Sequence, residues 1–276
     1  MRVIVTRPQR EAVRWVQALG EQGFDALAVP LIEIHPVSDD SAIIAAWESC
    51  GPCQAVMFVS AAAVDHFFAA RPAGATLQEA RDGPRLWATG PGTVAALLRQ
   101  GVSPGRIDAP APDSGQFDSE ALWRLVGAQV RPGWRVMLVR GDGQDTPGRT
   151  SPPAQDEAGG RGAAQGQGRD WLATQLVQAG AQLRFVVAYW RAAPGAQVVL
   201  QAMRDHGIGD EAVWLFTSGE AVSHLRASLP AHDWSHTRAI TSHARIAAAA
   251  RAAGFGVVRE SRPALQDMVA SIKSLQ

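Results

Sequence analysis

The sequence predicts an α/β protein made of two similar, small parallel-sheet domains. Short apolar runs alternate with amphipathic stretches along the 276 residues, which is typical of parallel strands connected by helices. The same series of runs occurs twice, and this repetition indicates an internal duplication. The length suits two domains of ordinary size or one large domain, and either could bury a core.

Three strands are predicted in the first half of the chain, and each runs into a helix. The strands are VIVT, VMFVS and LWATG, at Val3–Thr6, Val56–Ser60 and Leu86–Gly90. The helices that follow them span Gln9–Gln22, Ala61–Ala70 and about Pro91–Arg99. Apolar residues recur on one face of the first helix, and Gly23 ends that helix at the position where a left-handed residue is common.

The second half of the chain repeats this series with three further strands, each running into a helix. They are RVMLVRG, VWLFTSG and RAITS, at Arg135–Gly141, Val213–Gly219 and Arg238–Ser242. Each corresponds to a strand of the first half, and the order is the same in both copies. The repetition predicts two flavodoxin-like halves with a cleft between them.

One segment interrupts the second copy. Residues Asp142–Gly168 show no hydrophobic periodicity and consist mainly of Gly, Pro, Gln and Ala. Such a composition cannot offset the entropy lost on ordering by burying apolar surface. A mobile surface loop is therefore predicted for this insertion.

Charge and composition exclude several classes of protein. The 26 basic side chains balance the 26 acidic ones, which argues against nucleic-acid binding by a strongly basic face. Lys273 is the only lysine, so the chain lacks both the lysine of a phosphate-binding loop and a buried Schiff-base lysine. No apolar run is long enough to span a bilayer, and the N-terminus begins directly with a strand rather than a signal peptide. We expect a cytoplasmic protein that contacts no membrane.

A dithiol motif lies in the wrong structural context for redox chemistry. Cys50-Gly51-Pro52-Cys53 spells the thioredoxin motif, which normally follows a strand and opens a helix. Here a helix predicted over Ser41–Glu48 precedes the motif, and the strand Val56–Ser60 follows it. A structural turn between helix and strand is favoured over a redox site.

The histidines do not form a metal site in the sequence pattern. His232 and His236 flank Trp234 without a third ligand at a recognised spacing, so a solvated loop is favoured. His243 lies at a strand-to-helix turn, where it could contact a ligand. A lone histidine at such a turn is more often a cap or a packing residue.

The strongest functional signal is a set of polar turns that follow the strands. In parallel sheets, ligands bind beyond the carboxyl ends of the strands, where helix N-termini offer N–H groups and a partial positive charge to anions. Several such ends facing one cleft would bind a polyanion without a basic surface. Serine and threonine are also good N-caps, which accounts for any single member of the set. The turns are Thr6-Arg7-Pro8, Ser60-Ala61, Thr89-Gly90-Pro91-Gly92-Thr93, Arg140-Gly141, Thr217-Ser218-Gly219 and Thr241-Ser242-His243.

Tyr189 is the only tyrosine of the chain. It lies in the segment FVVAYWRAAP, between a strand of the second copy and the next helix. A buried core aromatic is the default interpretation. A phenol that faces a ligand could instead donate a hydrogen bond or a proton.

An ordered set of segments spans nearly the whole chain and resembles a known family. The segments are VIVTRP, Gly23 with Pro30-Leu31-Ile32, VMFVSAAAV, ATGPGTVAALLRQGV, Ser119-Glu120-Ala121-Leu122, VMLVRG, AYWR around Tyr189, LFTSGEAVSHL and ITSHARIAAAARAAGF. Their order and spacing are similar to those of the uroporphyrinogen-III synthase family of tetrapyrrole biosynthesis.

The resemblance implies two α/β domains joined by a connector of two antiparallel strands. The connectors would be about 31–37 and 187–193. One domain would be discontinuous, formed by 1–32 and 192–276, and the other would span 38–186. Periodicity alone does not predict this arrangement, because it places the two copies one after the other.

The resemblance also implies a reaction. Enzymes of the family take linear hydroxymethylbilane, remove water and close the macrocycle with the last pyrrole ring inverted, which makes them cyclising hydro-lyases. It implies neither a cofactor nor a metal, a linear tetrapyrrole as the substrate, and a monomer in transient contact with the preceding, hydroxymethylbilane-forming enzyme.

The resemblance assigns roles to particular residues. Tyr189 matches the tyrosine that would donate a proton to the departing hydroxyl. His243 lies in a turn that departs from the Gly-Pro and threonine of many relatives. The residues expected to bind substrate are Thr6, Arg7, Ser60, Ala61, Thr93, Arg140, Ser218, Gly219, His243 and Ala244.

A second hypothesis remains open on the residues alone. A duplicated α/β module could bind a ligand or regulate a partner without catalysis. A receiver-type half would carry an acidic cluster at its strand ends, whereas these strand ends carry Thr, Ser and Arg.

Overall fold

The computed structural model describes residues 1–75, 77, 83–111, 114, 117–143 and 167–275. These residues form two compact units. Unit 1 consists of Met1–Ile34 and Ala192–Gln276, and unit 2 consists of His35–Arg191. Each unit contains its own sheet and its own buried core.

Helices and strands alternate along the described chain. The strands are β1 (Arg2–Val5), β2 (Asp25–Ala28), β3 (Glu33–Pro36), β4 (Ala55–Phe58), β5 (Arg85–Ala88), β6 (Ile107–Asp108), β7 (Arg135–Gly143), β8 (Gln182–Ala192), β9 (Val213–Phe216), β10 (Arg238–Thr241) and β11 (Val257–Glu260). The helices are α1 (Gln9–Glu21), α2 (Ser41–Ser49), α3 (Ala61–Ala69), α4 (Pro91–Arg99), α5 (Ser119–Val126), α6 (Gln167–Gln178), α7 (Ala196–Asp205), α8 (Gly219–Ser228), α9 (Ala244–Ala252) and α10 (Leu265–Lys273).

Unit 1 has a five-stranded parallel sheet with helices on both faces. The strand order is β11-β10-β9-β1-β2, and every pairing is parallel. Because side chains alternate along a strand, Ile4 packs into the cluster of Trp214 and Phe216, whereas Val3 and Val5 pack on the opposite face. Strands buried on both faces explain the continuous apolar runs in the sequence.

Unit 2 has a six-stranded sheet in the order β3-β8-β7-β4-β5-β6. On one face, Met57 and Leu138 pack with Leu172 and residues of α5. On the other face, an aromatic cluster joins α2 and α3 to the sheet. The Trp47 and Phe67 rings in this cluster stack with centroids 4.7 Å apart.

The two sheets confirm the similarity of the two copies. Each sheet, however, contains strands from both copies. Strands β1, β9 and β10 occupy the positions in unit 1 that β7, β4 and β5 occupy in unit 2. The first strand of the N-terminal copy therefore pairs with strands of the C-terminal copy, as in the register Val3↔Val213. In unit 2, β7 pairs with β4 in the same way. Side-chain periodicity reports faces and lengths, and it contains no information on which strands pair.

Several predicted boundaries change in the structure. Thr6, Ser60 and Ser242 lie just beyond their strands, and Ser60 is the N-cap of α3. Strand β7 continues through Asp142 and Gly143, which were predicted to begin the insertion. Helix α6 likewise includes the last two residues of the predicted insertion, 167 and 168. The remaining residues of that prediction, 144–166, lie outside the described residues.

No helix within the described part of the chain is long and apolar enough to cross a membrane.

Candidate active site

The polar turns of unit 1 lie at one edge of its sheet. Strands β1, β9 and β10 are neighbours and run parallel, so their carboxyl ends meet at that edge. Thr6, Ser218 and His243 follow these three strands. The turns that the sequence predicted are thus brought together within the unit.

Helices α8 and α9 begin at this edge with capped N-termini. Ser218 Oγ accepts a hydrogen bond from the backbone N–H of Glu220 at 3.2 Å. Nδ1 of the exposed His243 accepts from the N–H of Arg245 at 3.1 Å. A neutral imidazole that accepts at Nδ1 carries its proton on Nε2, so that nitrogen can donate to an anion. Gly219 and Ala244 begin the two helices, whose first turns contain N–H groups without intrahelical partners.

Thr6 and Arg7 are engaged inside unit 1. The Thr6 hydroxyl is buried and donates to the carbonyl of Leu215 at 2.6 Å, which ties β1 to β9. The Arg7 guanidinium bonds Glu11 at 2.8 Å and lies 4.2 Å from the centre of the Trp15 ring. Arg7 Nε is buried and has no hydrogen-bond partner among the described residues. The Thr6 side chain therefore serves the sheet, and the Arg7 charge is partly neutralised.

In unit 2, the corresponding edge carries Ser60 and Thr93. Ser60 is the N-cap of α3, and its Oγ accepts from the N–H of Ala63 at 3.1 Å. Ala61 is the first residue of that helix. Thr93 lies in the first turn of α4 and is buried. Because β4 and β5 are parallel neighbours, these two helix N-termini open at the same edge.

Tyr189 joins this group from β8. Its side chain is buried, with the residue 3% exposed, and its hydroxyl lies 3.0 Å from Ser60 Oγ. The His66 ring lies alongside the phenol at 25° with centroids 5.8 Å apart. Tyr189 pairs with Gly141 near the end of β7. A buried phenol with a hydroxyl partner at a strand end is suited to donate a proton to a substrate group.

Arg140 is the residue of β7 directly before Gly141. Its guanidinium carbon lies 5.0 Å from the centre of the Phe185 ring. Arg140 Nε is buried and has no hydrogen-bond partner in the described part of the chain. A guanidinium with an unused donor is suited to a carboxylate.

The cysteines form the turn that the sequence predicted. The motif lies between α2 and β4, and both residues are buried free thiols. Burial raises the pKa of Cys50 from 9.0 to about 11, and the neighbouring Cys53 adds to the effect. Burial also raises the pKa of Cys53, although Arg135 and Arg184 oppose it. Reactive dithiols require a lowered pKa, so this pair is structural. No group of three metal-ligating side chains occurs in the described ranges.

Sequence reasoning missed two neighbours of Tyr189. The sequence indicates His66 only as part of an apolar helix, and Gly141 only as part of the polar turn Arg140-Gly141. His66 lies six residues after the Ser60 cap, and this spacing does not place the two residues on one helical face, so no sequence signal indicates the contact. No sequence signal indicates that Gly141 lies under the phenol, since that contact depends on the register between two strands.

Comparisons with known proteins find one family that is similar to part of this chain. A family model described as uroporphyrinogen-III synthase HemD matches residues 13–146. This match bears out, over those residues, the resemblance that the ordered segments show. Residues 13–146 are thus similar to the uroporphyrinogen-III synthase family. The sequence matches no curated protein.

Solved structures are similar to this chain. A mutant uroporphyrinogen III synthase from the extremely thermophilic bacterium Thermus thermophilus matches with a TM-score of 0.55 and 15% identity, covering 100% of this chain and 98% of that one. The uroporphyrinogen-III synthetase from Helicobacter pylori matches with a TM-score of 0.49 and 15% identity, covering 100% of both chains. The first match confirms the predicted two-domain α/β fold.

The uroporphyrinogen-III synthase family consists of cyclising hydro-lyases that act on a linear tetrapyrrole. The family match therefore confirms the main functional prediction, an enzyme of tetrapyrrole biosynthesis. Nothing in the comparisons supports the alternative of a non-catalytic duplicated module.

Proposed function

We propose that this chain converts hydroxymethylbilane to uroporphyrinogen III, with loss of water and inversion of the last pyrrole ring, and that Tyr189 is its proton donor. The observation that carries the proposal is the buried phenol of the only tyrosine, bonded to Ser60 at the carboxyl edge of a parallel sheet. Ligands bind at this edge in open α/β sheets.

The first chemical step breaks the bond between carbon and the departing hydroxyl. Hydroxide is a poor leaving group, so the oxygen must receive a proton as the bond breaks. The Tyr189 phenol supplies that proton, and the products are water and a cationic azafulvene. Attack by the substituted carbon of the last pyrrole then gives a spiro intermediate, which fragments and recloses with the ring inverted. The proton released when the pyrrole regains aromaticity restores the phenol.

Ser60 is suited to present the phenol proton. Its oxygen already accepts from the Ala63 N–H, and its own proton is free to point at the Tyr189 oxygen. When Ser60 donates to Tyr189, the phenol proton remains available for the substrate. This direction of the Ser60–Tyr189 bond is part of the proposal.

The substrate carboxylates would bind at helix N-termini. Hydroxymethylbilane carries acetate and propionate groups, and each helix N-terminus contributes about 0.3–1 kcal/mol toward a negative charge when exposed. In unit 1 the groups are Ser218 with Gly219 and His243 with Ala244. In unit 2 they are the first turns that contain Ala61 and Thr93, with Arg140 on β7, the strand paired with β4. Arg7 and Thr6 contribute less, because both are engaged with neighbours.

Much of the reactivity lies in the substrate, which also closes spontaneously to the uninverted type I product. The protein would hold the chain so that attack by the substituted carbon outpaces simple closure, a positioning effect. A monomer that acts in the cytoplasm and receives substrate from the preceding enzyme remains our prediction.

The isomer of the product tests the proposal. The purified protein is given freshly generated hydroxymethylbilane, and the oxidised products are separated by chromatography. An excess of type III over a protein-free control is expected, because only catalysed inversion produces it. Type I alone from a well-folded protein would contradict the proposal.

A further inference from the structure

The register between β7 and β8 shifts by one residue beside Tyr189. Arg140 pairs with Val187, and the next residue of β7, Gly141, pairs with Tyr189. Ala188 is the extra residue on β8. Such irregularities change which face of the sheet the following side chains occupy.

The shift places the Tyr189 side chain on the face of the sheet toward which a side chain at position 141 would point. Without it, Gly141 would pair with Ala188, and Tyr189 would pair with Asp142 and point to the opposite face. The phenol instead lies directly over Gly141. A Cβ atom built on Gly141 would stand 2.2 Å from Tyr189 Cζ and 2.3 Å from Cε2.

The need for glycine at this position comes from space and not from backbone freedom. Gly141 is absent from the glycines of the described chain that have positive φ, so its backbone suits any residue. A side chain of any size at 141 would occupy the volume that the phenol ring fills. The ring could not shift without separating its hydroxyl from Ser60, which is fixed as the cap of α3.

We infer that Gly141 is a positioning residue, whose missing side chain lets the phenol of Tyr189 lie across β7 and reach Ser60. Gly141 contacts the ring and acts on the substrate only through it. The catalytic consequence rests on the proposed function, whereas the placement of the ring does not.

The single tyrosine allows a direct test without activity. In protein labelled at tyrosine, one ring spin system is expected, with nuclear Overhauser contacts to the Hα atoms of Gly141. Gly141→Ala should shift this ring signal and abolish its contacts to the Ser60 Hβ atoms. Gly105→Ala is the matched control, because a Cβ at Gly105 meets nothing within 4 Å and its φ is not positive. An unchanged ring environment in Gly141→Ala would overturn the inference.

Thermal stability gives a second test, which remains decisive even when the single variant folds poorly. Gly141→Ala should lower the melting temperature when Tyr189 is present. In the Tyr189→Ala background, where the ring is absent, the same change should have little effect. Equal losses in both backgrounds would show that the phenol is not what requires glycine, and would overturn the inference.

Kinetics separate a positioning role from a merely structural one. Gly141→Ala should lower kcat on the order of 10²-fold, as expected for a displaced catalytic group, with KM changed much less. In the Tyr189→Phe background it should lower kcat little further, because both changes act through the same phenol. Additive losses would contradict the inference. A wild type without synthase activity, but with the expected ring signals and melting temperatures, would overturn the proposed function and leave the placement standing.

Discussion

The hydroxyl of Tyr189 lies 3.0 Å from Oγ of Ser60, although 129 positions separate the two residues in the sequence. One oxygen belongs to a residue of β8, and the other belongs to the N-cap of α3, which follows β4, and β7 lies between these two strands in the sheet. The bond thus ties the catalytic candidate to the edge of the sheet where substrate carboxylates are proposed to bind. The only tyrosine of the chain is therefore buried, and its hydroxyl has Ser60 as a hydrogen-bond partner.

Removing the Ser60 hydroxyl should affect both stability and turnover. Ser60→Ala should cost about 1 kcal/mol of unfolding free energy, because α3 loses its cap. It should also lower kcat, since the phenol loses its partner. Ser60→Thr keeps a hydroxyl and should restore most of both. Denaturant unfolding and steady-state kinetics check this.

Ser218→Ala is the matched comparison in unit 1. It removes an equivalent cap from α8 and should cost a similar free energy of unfolding. Because the Ser218 hydroxyl accepts from the N–H of Glu220 in its own helix, we expect KM to rise while kcat changes little. A fall in kcat as large as that of Ser60→Ala would argue against the distinct role of the Ser60–Tyr189 pair.

His243 can be tested as a ligand separately from its function as a cap. Asparagine is also a good N-cap, so His243→Asn should keep the melting temperature, whereas His243→Ala should lower it. If Nε2 of the imidazole donates to a substrate carboxylate, His243→Asn should still raise KM. A KM equal to that of the wild type would leave His243 as a cap only.

The Cys50 and Cys53 thiols should be inert. With the Cys50 pKa raised from 9.0 to about 11, little thiolate forms in the native state at pH 8, so iodoacetamide should label it slowly until the chain unfolds. The pKa of Cys50 is higher in the folded chain than in the unfolded chain. Its contribution to the free energy of unfolding is therefore fully present below pH 9 and is lost as the pH rises through about 11.

The double change of Cys50 and Cys53 to serine controls for redox function. It should leave turnover unchanged at equal folded concentration, in the presence or absence of reductant. A redox-dependent activity, or a large loss of kcat in this variant, would contradict the structural interpretation of the motif.

The sequence predicts the individual elements well because they depend on local patterns. Apolar runs identify the strands, and the caps Ser60 and Ser218 identify the beginnings of α3 and α8. Two features could not be predicted in this way. The exchange of β1 and β7 between the copies depends on pairing energies over the whole chain, and the register shift beside Gly141 leaves no periodic signal.

The most direct measurement compares the wild type with Tyr189→Phe in an isomer-resolved kinetic assay. The wild type should form type III product in excess. Tyr189→Phe keeps the ring but lacks the proton, and should form type III slower by about 10²–10⁴-fold, so that spontaneous type I dominates. Far-UV circular dichroism confirms equal folding. Wild-type turnover in Tyr189→Phe would contradict the proposed proton donor, and type I alone from the wild type would contradict the proposed activity.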